Sequence, residues 1–278
     1  MSARAKSFAA RLLVYAGASF SMTVLLFIMG YILVRGIPHL SPALFAWEYN
    51  SENVSLTPAL INTLYMTVLS LAFAVPLGVG AAIYLSEYAK RSSRLVKVVR
   101  LTAETLSGIP SIIYGLFGAL FFVVTLRMNL SLMAGALTLS IMILPLIMRT
   151  TEEALLAVPD AYREGSFGLG AGRLRTTLKI VLPSAAPGIL AGVILGIGRI
   201  VGETAALIYT AGTVPEVAGS LFDSARTLSV HMYTLASEGL HIEEAYATAV
   251  VLLATVAGIN ALSAWAAGRL GRRSNDQI

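Results

Sequence analysis

Apolar positions along the chain gather into six long runs, at 12–34, 60–85, 109–126, 132–148, 188–210 and 245–267, separated by shorter polar segments. A helix rises ~1.5 Å per residue, so about 20 apolar residues cross the ~30 Å hydrocarbon layer of a bilayer. Each run is therefore predicted to be a transmembrane helix, and the fold an all-α, polytopic membrane protein with six transmembrane helices. The fourth run is short, and Pro145 inside it is a predicted kink point. Arg4, Lys6 and Arg11 precede the first run in the manner of a secretory signal. The apolar core there exceeds the ~7–15 residues of a signal peptide, so it is read as a retained span.

The polar segments assign the sides. Lys and Arg concentrate in the N-terminus (Arg4, Lys6, Arg11), the 2–3 loop (Lys90, Arg91, Arg94, Lys97, Arg100), the 4–5 loop (Arg149, Arg163, Arg173, Arg175, Lys179) and the C-terminus (Arg269, Arg272, Arg273). The alternate segments hold Arg35, Arg127 and Arg226, and Arg199 lies within a span. By the positive-inside rule both termini and both basic loops are cytoplasmic, in a multi-pass plasma (inner) membrane protein. The outward 1–2 loop carries Trp47 and Tyr49, read as interface anchors. The outward 211–244 segment carries Thr213-Val214-Pro215, then His231, Glu238, His241, Glu243 and Glu244. It is read as a connector, with a surface for an external partner as the alternative.

Composition agrees. Of 278 residues, 56% are hydrophobic and 13% charged, against about 25% charged in soluble domains; the mean hydropathy is +0.77. The formal charge of +5 is accounted for by cytoplasmic loops, so no nucleic-acid partner is expected. With no cysteine there is no disulfide, thiolate metal site or cysteine nucleophile. His39, His231 and His241 are scattered outside the spans, and no metal site is expected. Glu87 and Glu104 flank the basic 2–3 loop and are read as solvated. Asn62 and Thr63 are read as packing or backbone partners, and Ser107-Gly108-Ile109-Pro110-Ser111 as turn chemistry opening the third span. Gly78, Gly80, Gly115 and Gly118 fit close helix packing.

The 4–5 loop, RTTEEALLAVPDAYREGSFGLGAGRLRTTLKIVLPSAAPG, is too long for a turn and reads as three helical pieces. They run over 152–158, then 161–167 with Asp160 as candidate N-cap, then 174–181; Gly168, Gly170 and Gly172 close the middle piece. Small residues on that piece would let another surface approach closely. Glu164-Gly165-Ser166, then Gly170, then Ile180-Val181-Leu182-Pro183 nine residues later, resemble the cytoplasmic signature of ABC importer permeases: Glu-Ala-Ala, three residues, Gly, nine residues, Ile-x-Leu-Pro. Gly165 and Ser166 replace the two alanines and remain small. INTLYMTVLSLAFAVPLGVGAAIYLSEYA, GIPSIIYGLFGALFF and ILGIGRIVGETAALIYTAG further resemble phosphate permeases, and Gly202-Glu203-Thr204-Ala205 the A-type of the two sister subunits.

The resemblance implies an ABC importer type I permease fold with a cytoplasmic coupling helix at about 159–171. That helix docks on the ATP-binding subunit through Tyr162, Arg163, Glu164, Gly165, Ser166 and Gly170. It implies three protein partners: the ATP-binding subunit, a homologous sister permease and an external phosphate-binding protein. The chain has no G-x-x-x-x-G-K-[ST]. It is therefore read as a non-enzyme without catalytic residues or a cofactor of its own, ATP and Mg being bound by the partner. No Ser–His or paired-Asp arrangement within the spans supports an intramembrane hydrolase.

Arg199 and Glu203 are the only charges of 188–211. A charge at a helix centre costs ~2.5–3.5 kcal/mol, and intramembrane charges mark function by default. On one helix the two stand at i and i+4 and share a face. Three roles follow: a structural staple, an anion contact in which Glu203 tunes Arg199, or a gate that switches partners. A guanidinium fork suits phosphate, and Thr204 adds a hydroxyl. Arg199, Glu203 and Thr204 are thus the candidate translocation residues. Three regions are expected: an N-terminal span with its external loop (1–59), a permease transmembrane domain (60–267, with the coupling loop at 149–183) and a cytoplasmic tail (268–278). The function expected is the permease subunit of a binding-protein-dependent phosphate importer. A sulfate or molybdate permease, or a non-transporting membrane scaffold, is the alternative.

Overall fold

The helix over 132–156 sits at the centre of the packing, against the helices over 57–83, 94–107, 111–118, 182–201 and 205–210. A computed structural model describes residues 3–90 and 93–275; Arg91 of the basic 2–3 loop and residues 276–278 of the expected tail lie outside the described residues. The helices are α1 (Ala3–Gly36), α2 (Thr57–Ile83, continued by a π turn Tyr84–Tyr88), α3 (Arg94–Ser107) and α4 (Ser111–Gly118, continued by π-helical Ala119–Thr125). They continue with α5 (Leu132–Leu156), α6 (Asp160–Gly168), α7 (Arg173–Thr176, running through Thr177–Val181 into α8), α8 (Leu182–Val201), α9 (Ala205–Thr210), α10 (Leu228–Glu238) and α11 (Ile242–Asn275). Among the described residues five helical segments are long and apolar enough to cross a membrane. A sixth is reached if 94–107 and 111–125, bent by 101° from each other, count together as one broken span.

The predicted runs map onto these segments with three corrections. The fourth span does not end near Met148: α5 continues unbroken through Pro145 to Leu156 and absorbs the first piece of the 4–5 loop. The third piece is likewise the start of the α7–α8 segment, so only 157–172 remains between spans. The 2–3 loop is mostly helical. Val96, Val99 and Ala103 of α3 turn towards α5, a helical period hidden in sequence by Arg94, Lys97 and Arg100. Gly108-Ile109-Pro110 then forces the bend, because proline pushes the preceding residue out of helical geometry. Most consequentially, the fifth run is broken: α8 stops at Val201 and α9 starts at Ala205.

Small side chains seat α5 between α2 and α8, as expected where lipid removes the hydrophobic drive for helix association. A methyl group on Gly78 would stand 2.9 Å from Ile147 Cγ2, and one on Gly188 2.6 Å from Ala154 Cβ. Gly80 has no such neighbour within this chain, its open side meeting no atom within 4 Å.

The two basic loops converge at one end of the bundle. Arg163 reaches Glu87, Arg100 reaches Glu152, and the Arg173 guanidinium lies 5.5 Å from the centre of the Tyr88 ring. The 1–2 and 5–6 connections meet at the opposite end, where 211–228 is more than a connector. It supplies acceptors to the first amides of α5, which have no partner within the helix. Leu132 N–H donates to Asp223 O (2.8 Å) and Met133 N–H to Leu221 O (2.9 Å), while Ser131 Oγ caps Ala134 N–H (3.2 Å). Asn62 and Thr63 serve as backbone partners, as expected. The Asn62 amide donates to Glu216 O (2.8 Å) and accepts from Ala218 N–H (3.0 Å), and Thr63 Oγ1 accepts from Leu228 N–H (2.8 Å).

His231 is buried in this cap. Its Nε2 faces Val54 O (3.2 Å), its Nδ1 faces the Arg226 guanidinium (3.4 Å), and Tyr49 packs edge-on against its ring. Burial, and secondarily the Arg226 charge, push its pKa down to about 4, against the opposing pull of the Val54 carbonyl. The folded cap therefore holds a neutral imidazole, with Nε2–H donating and Nδ1 accepting. The unfolded chain binds this proton below about 6.5. Cap stability is accordingly intact above that pH and lost as pH falls from about 6.5 towards 4, by ~1.4 kcal/mol per unit. Hydrogen exchange at the α10 amides is expected to accelerate over that window in the native chain and much less in His231→Asn.

Candidate translocation site and coupling surface

The break between α8 and α9 holds the first set of candidate residues. Irregular backbone at membrane depth is tolerated only where protein buries it or where it lines a cavity. Here it is partly satisfied from within. Glu203 is buried, and its carboxylate accepts the Ala206 N–H at 3.1 Å, capping the first turn of α9. Its carbonyl accepts from Ser229 Oγ at 2.5 Å, and the Thr204 carbonyl accepts from Leu207 N–H and Ile208 N–H at 3.2 and 3.1 Å. Thr204 itself is half-buried.

Arg199 lies one turn before the break, in the last turn of α8, where a cation complements the negative end of the helix dipole. It is half-buried and forms no ion pair within 4 Å, with Glu203 or any other described residue. The expectation of a shared helix face is thus corrected. The helix ends before Glu203, whose carboxylate turns to α9. Glu203 shapes the backbone, while Arg199 remains a cation without a counter-charge. Tyr114 of α4 donates its hydroxyl to Leu106 O at 2.8 Å, beside the bend between α3 and α4. Tyr114 was not singled out in the sequence, where it is one aromatic in an apolar run.

Glycines bring α4 against α9. A methyl group on Gly115 would stand 2.7 Å from Ala206 Cα and 3.2 Å from Ala206 O, both backbone atoms unable to turn aside. Gly115→Ala is expected to destabilise the assembled protein by ~1–3 kcal/mol through overpacking, read as a lowered Tm, whereas Gly80→Ala is expected to be neutral.

The second set lies on α6 at the basic end. Asp160 is the first helical residue rather than the cap, with Pro159 preceding it. The helix closes in a Schellman arrangement. Ala171 N–H bonds to Ser166 O (3.1 Å), Gly170 N–H bonds to Phe167 O (2.9 Å), and Gly170 adopts φ +81°, a left-handed conformation costly for other residues. The signature glycine is therefore required by the local fold.

The six expected coupling residues divide between two faces. Arg163 and Ser166 turn inward. Arg163 donates to Glu87 Oε1 (2.8 Å), Val158 O (2.8 Å), Leu155 O (2.9 Å) and Asp160 Oδ1 (3.1 Å). Ser166 Oγ lies 2.8 Å from Thr176 Oγ1. The hydrogen bond that Arg163 donates to Glu87 raises the Arg163 pKa above its ordinary value, so the guanidinium stays charged. The Glu87 side chain is enclosed rather than solvated, 8% exposed. An acid just beyond an apolar run was its only signal in sequence. Tyr162, Glu164, Gly165 and Gly170 face outward, with Leu169 91% exposed. A groove of about 550 Å³ runs along this face between Tyr162, Gly165, Leu169, Gly170 and Arg175. A methyl on Gly165 would meet open space, so nothing within the chain requires that residue to be small, and the room is available to another molecule.

Comparison with known proteins places this architecture. Residues 74–276 match the family described as binding-protein-dependent transport system inner membrane component. The chain is 32% identical over 267 residues to the probable ABC transporter permease protein YqgI of Bacillus subtilis, covering 89% of this chain and 90% of that protein. It is 36% identical over 209 residues to the phosphate transport system permease protein PstA of Mycobacterium leprae, covering 74% and 68%. Among solved structures, a bacterial alginate ABC transporter in complex with an alginate pentasaccharide-bound periplasmic protein shares the fold. Its TM-score is 0.67 at 18% identity, covering 96% of this chain and 97% of that one.

Proposed function

The chain belongs to the binding-protein-dependent transport system inner membrane component family, and from that membership we propose that it is a permease subunit of an ATP-driven importer of inorganic phosphate. One observation carries the reading: Arg199, a half-buried cation with no counter-charge among the described residues, beside a break in a membrane helix. Discontinuous helices at membrane depth are a recurrent way to build a substrate site. The phosphate permease relatives favour that anion.

The rest of the proposal follows from the layout. Both termini and the basic end are cytoplasmic, by the distribution of Lys and Arg. Residues 60–267 form the transport unit, with 149–183 as its coupling segment between the N-terminal region (1–59) and the tail (268–278). The outward face of α6 seats an ATP-binding subunit, which binds ATP and Mg and performs the hydrolysis. A homologous permease completes the pathway, and an external phosphate-binding protein delivers the anion to the cap. The test is uptake of labelled phosphate in cells lacking this chain and in the same cells complemented with it, with sulfate and molybdate as competitors. Restored uptake, diluted by unlabelled phosphate alone, supports the reading. Competition by sulfate or molybdate assigns the chain to another oxyanion, and unchanged uptake leaves it a scaffold.

A further inference from the structure

α3 carries two apolar edges. Val96, Val99 and Ala103 pack inward, and Arg100 is held on that side by Glu152 at 2.5 Å. The other edge is uncovered: Leu95, Val98 and Leu101 recur every three residues and are 58%, 60% and 66% exposed. Arg94 stands at the start of this edge and Lys97 beside it, both exposed and neither in an ion pair among the described residues. The helix is bent by 101° from the helical segment 111–125 that follows it. With that segment near the bilayer normal, α3 lies close to the membrane plane, at the end where the basic loops converge.

A helix in the membrane plane with one apolar edge and flanking cations has the character of an interfacial element. The cytoplasmic leaflet is the anionic one, and its surface potential attracts basic residues. We propose that α3 is a lipid-binding elbow. Leu95, Val98 and Leu101 sink into the acyl boundary of the cytoplasmic leaflet, and Arg94 and Lys97 bind anionic phospholipid headgroups. The bend beneath Tyr114 is thereby held at a fixed depth. This rests on the proposed sidedness of the permease.

The chain has no cysteine, so single nitroxide labels are introduced at 95, 97, 98, 101 and 104 in the complete transporter, with any cysteines of the partner subunits replaced. The transporter is reconstituted in vesicles of phosphatidylethanolamine and phosphatidylglycerol. Labels at 95, 98 and 101 are expected to collide more with oxygen than with a water-soluble nickel complex, and labels at 97 and 104 the reverse. Replacing phosphatidylglycerol by phosphatidylcholine, or introducing Arg94→Gln with Lys97→Gln, is expected to shift the label at 98 towards water. Nickel access at 95, 98 and 101 overturns the proposal. So does immobilisation with access to neither reagent, which marks a protein surface there, or indifference to lipid charge. An impermeant thiol reagent applied to Leu169→Cys from each side tests sidedness separately. Reaction from outside overturns the orientation, whatever the labels on α3 show.

Discussion

An Arg163→Ala chain is expected to lose more than nine-tenths of its transport while its spans still insert. The guanidinium joins three elements. It bonds Glu87 at the end of α2, the Leu155 and Val158 carbonyls at the end of α5, and Asp160 in the first turn of α6. The pair is nearly dry, the two side chains being 14% and 8% exposed. Removing one member of a buried pair costs about 3–5 kcal/mol, because the remaining charge stays buried without compensation. Here two carbonyls lose their donor as well. At ~1.4 kcal/mol per tenfold change in an equilibrium constant, α6 spends most of its time off its seat, and motion at the docking face no longer reaches α2 and α5. Arg163→Lys keeps the charge but cannot bond four acceptors together, and an intermediate loss is expected. The measurement is phosphate uptake alongside ATP hydrolysis by the purified assembly. Hydrolysis persisting without uptake is the expected signature. If Arg163 instead served at the docking face, the ATP-binding subunit would fail to co-purify, and Glu87→Gln would have no effect.

This pair shows where sequence reading stops. Glu87 and Arg163 stand 76 positions apart, and nothing in either segment announces the other. The spans were legible because membrane insertion is decided locally, by runs of apolar residues long enough to cross the bilayer. Gly170 was legible for a similar reason, since a helix that ends in a left-handed turn needs a glycine at that place. The charges of α3 obscured its helical period, although Gly108-Ile109-Pro110, which bends the chain after it, stood in plain view. The break after Val201 was the costliest to miss. Gly202 and Thr204 are poor helix formers, but an apolar run of full membrane length outweighs them in any local reading. The break depends on contacts brought from elsewhere: the glycines of α4 against α9 and the Ser229 hydroxyl on the Glu203 carbonyl.

The broken helix changes what Arg199 and Glu203 should do when replaced. On an unbroken helix the two are partners, and losing either would have similar consequences. The structure separates them. Glu203 accepts a backbone N–H from Ala206, a task a glutamine oxygen performs nearly as well, so Glu203→Gln is expected to keep most of its uptake. Glu203→Leu leaves the first turn of α9 uncapped, a loss of about 0.5–2 kcal/mol, and a partial defect is expected. Arg199→Gln removes the one charge at the break left to attract an anion. A guanidinium fork donates two charge-assisted bonds, each about 1.5–3 kcal/mol, so initial rates of labelled phosphate uptake are expected to fall by at least 100-fold. The ATP-binding subunit should still co-purify, because α6 lies on a different element at the basic end. Arg199→Lys retains a point charge without the fork and is expected to fall between the two. Normal uptake by Arg199→Gln would remove Arg199 from the pathway. Equal loss in Glu203→Gln would mean that the carboxylate charge, rather than its hydrogen bond to α9, is what transport requires.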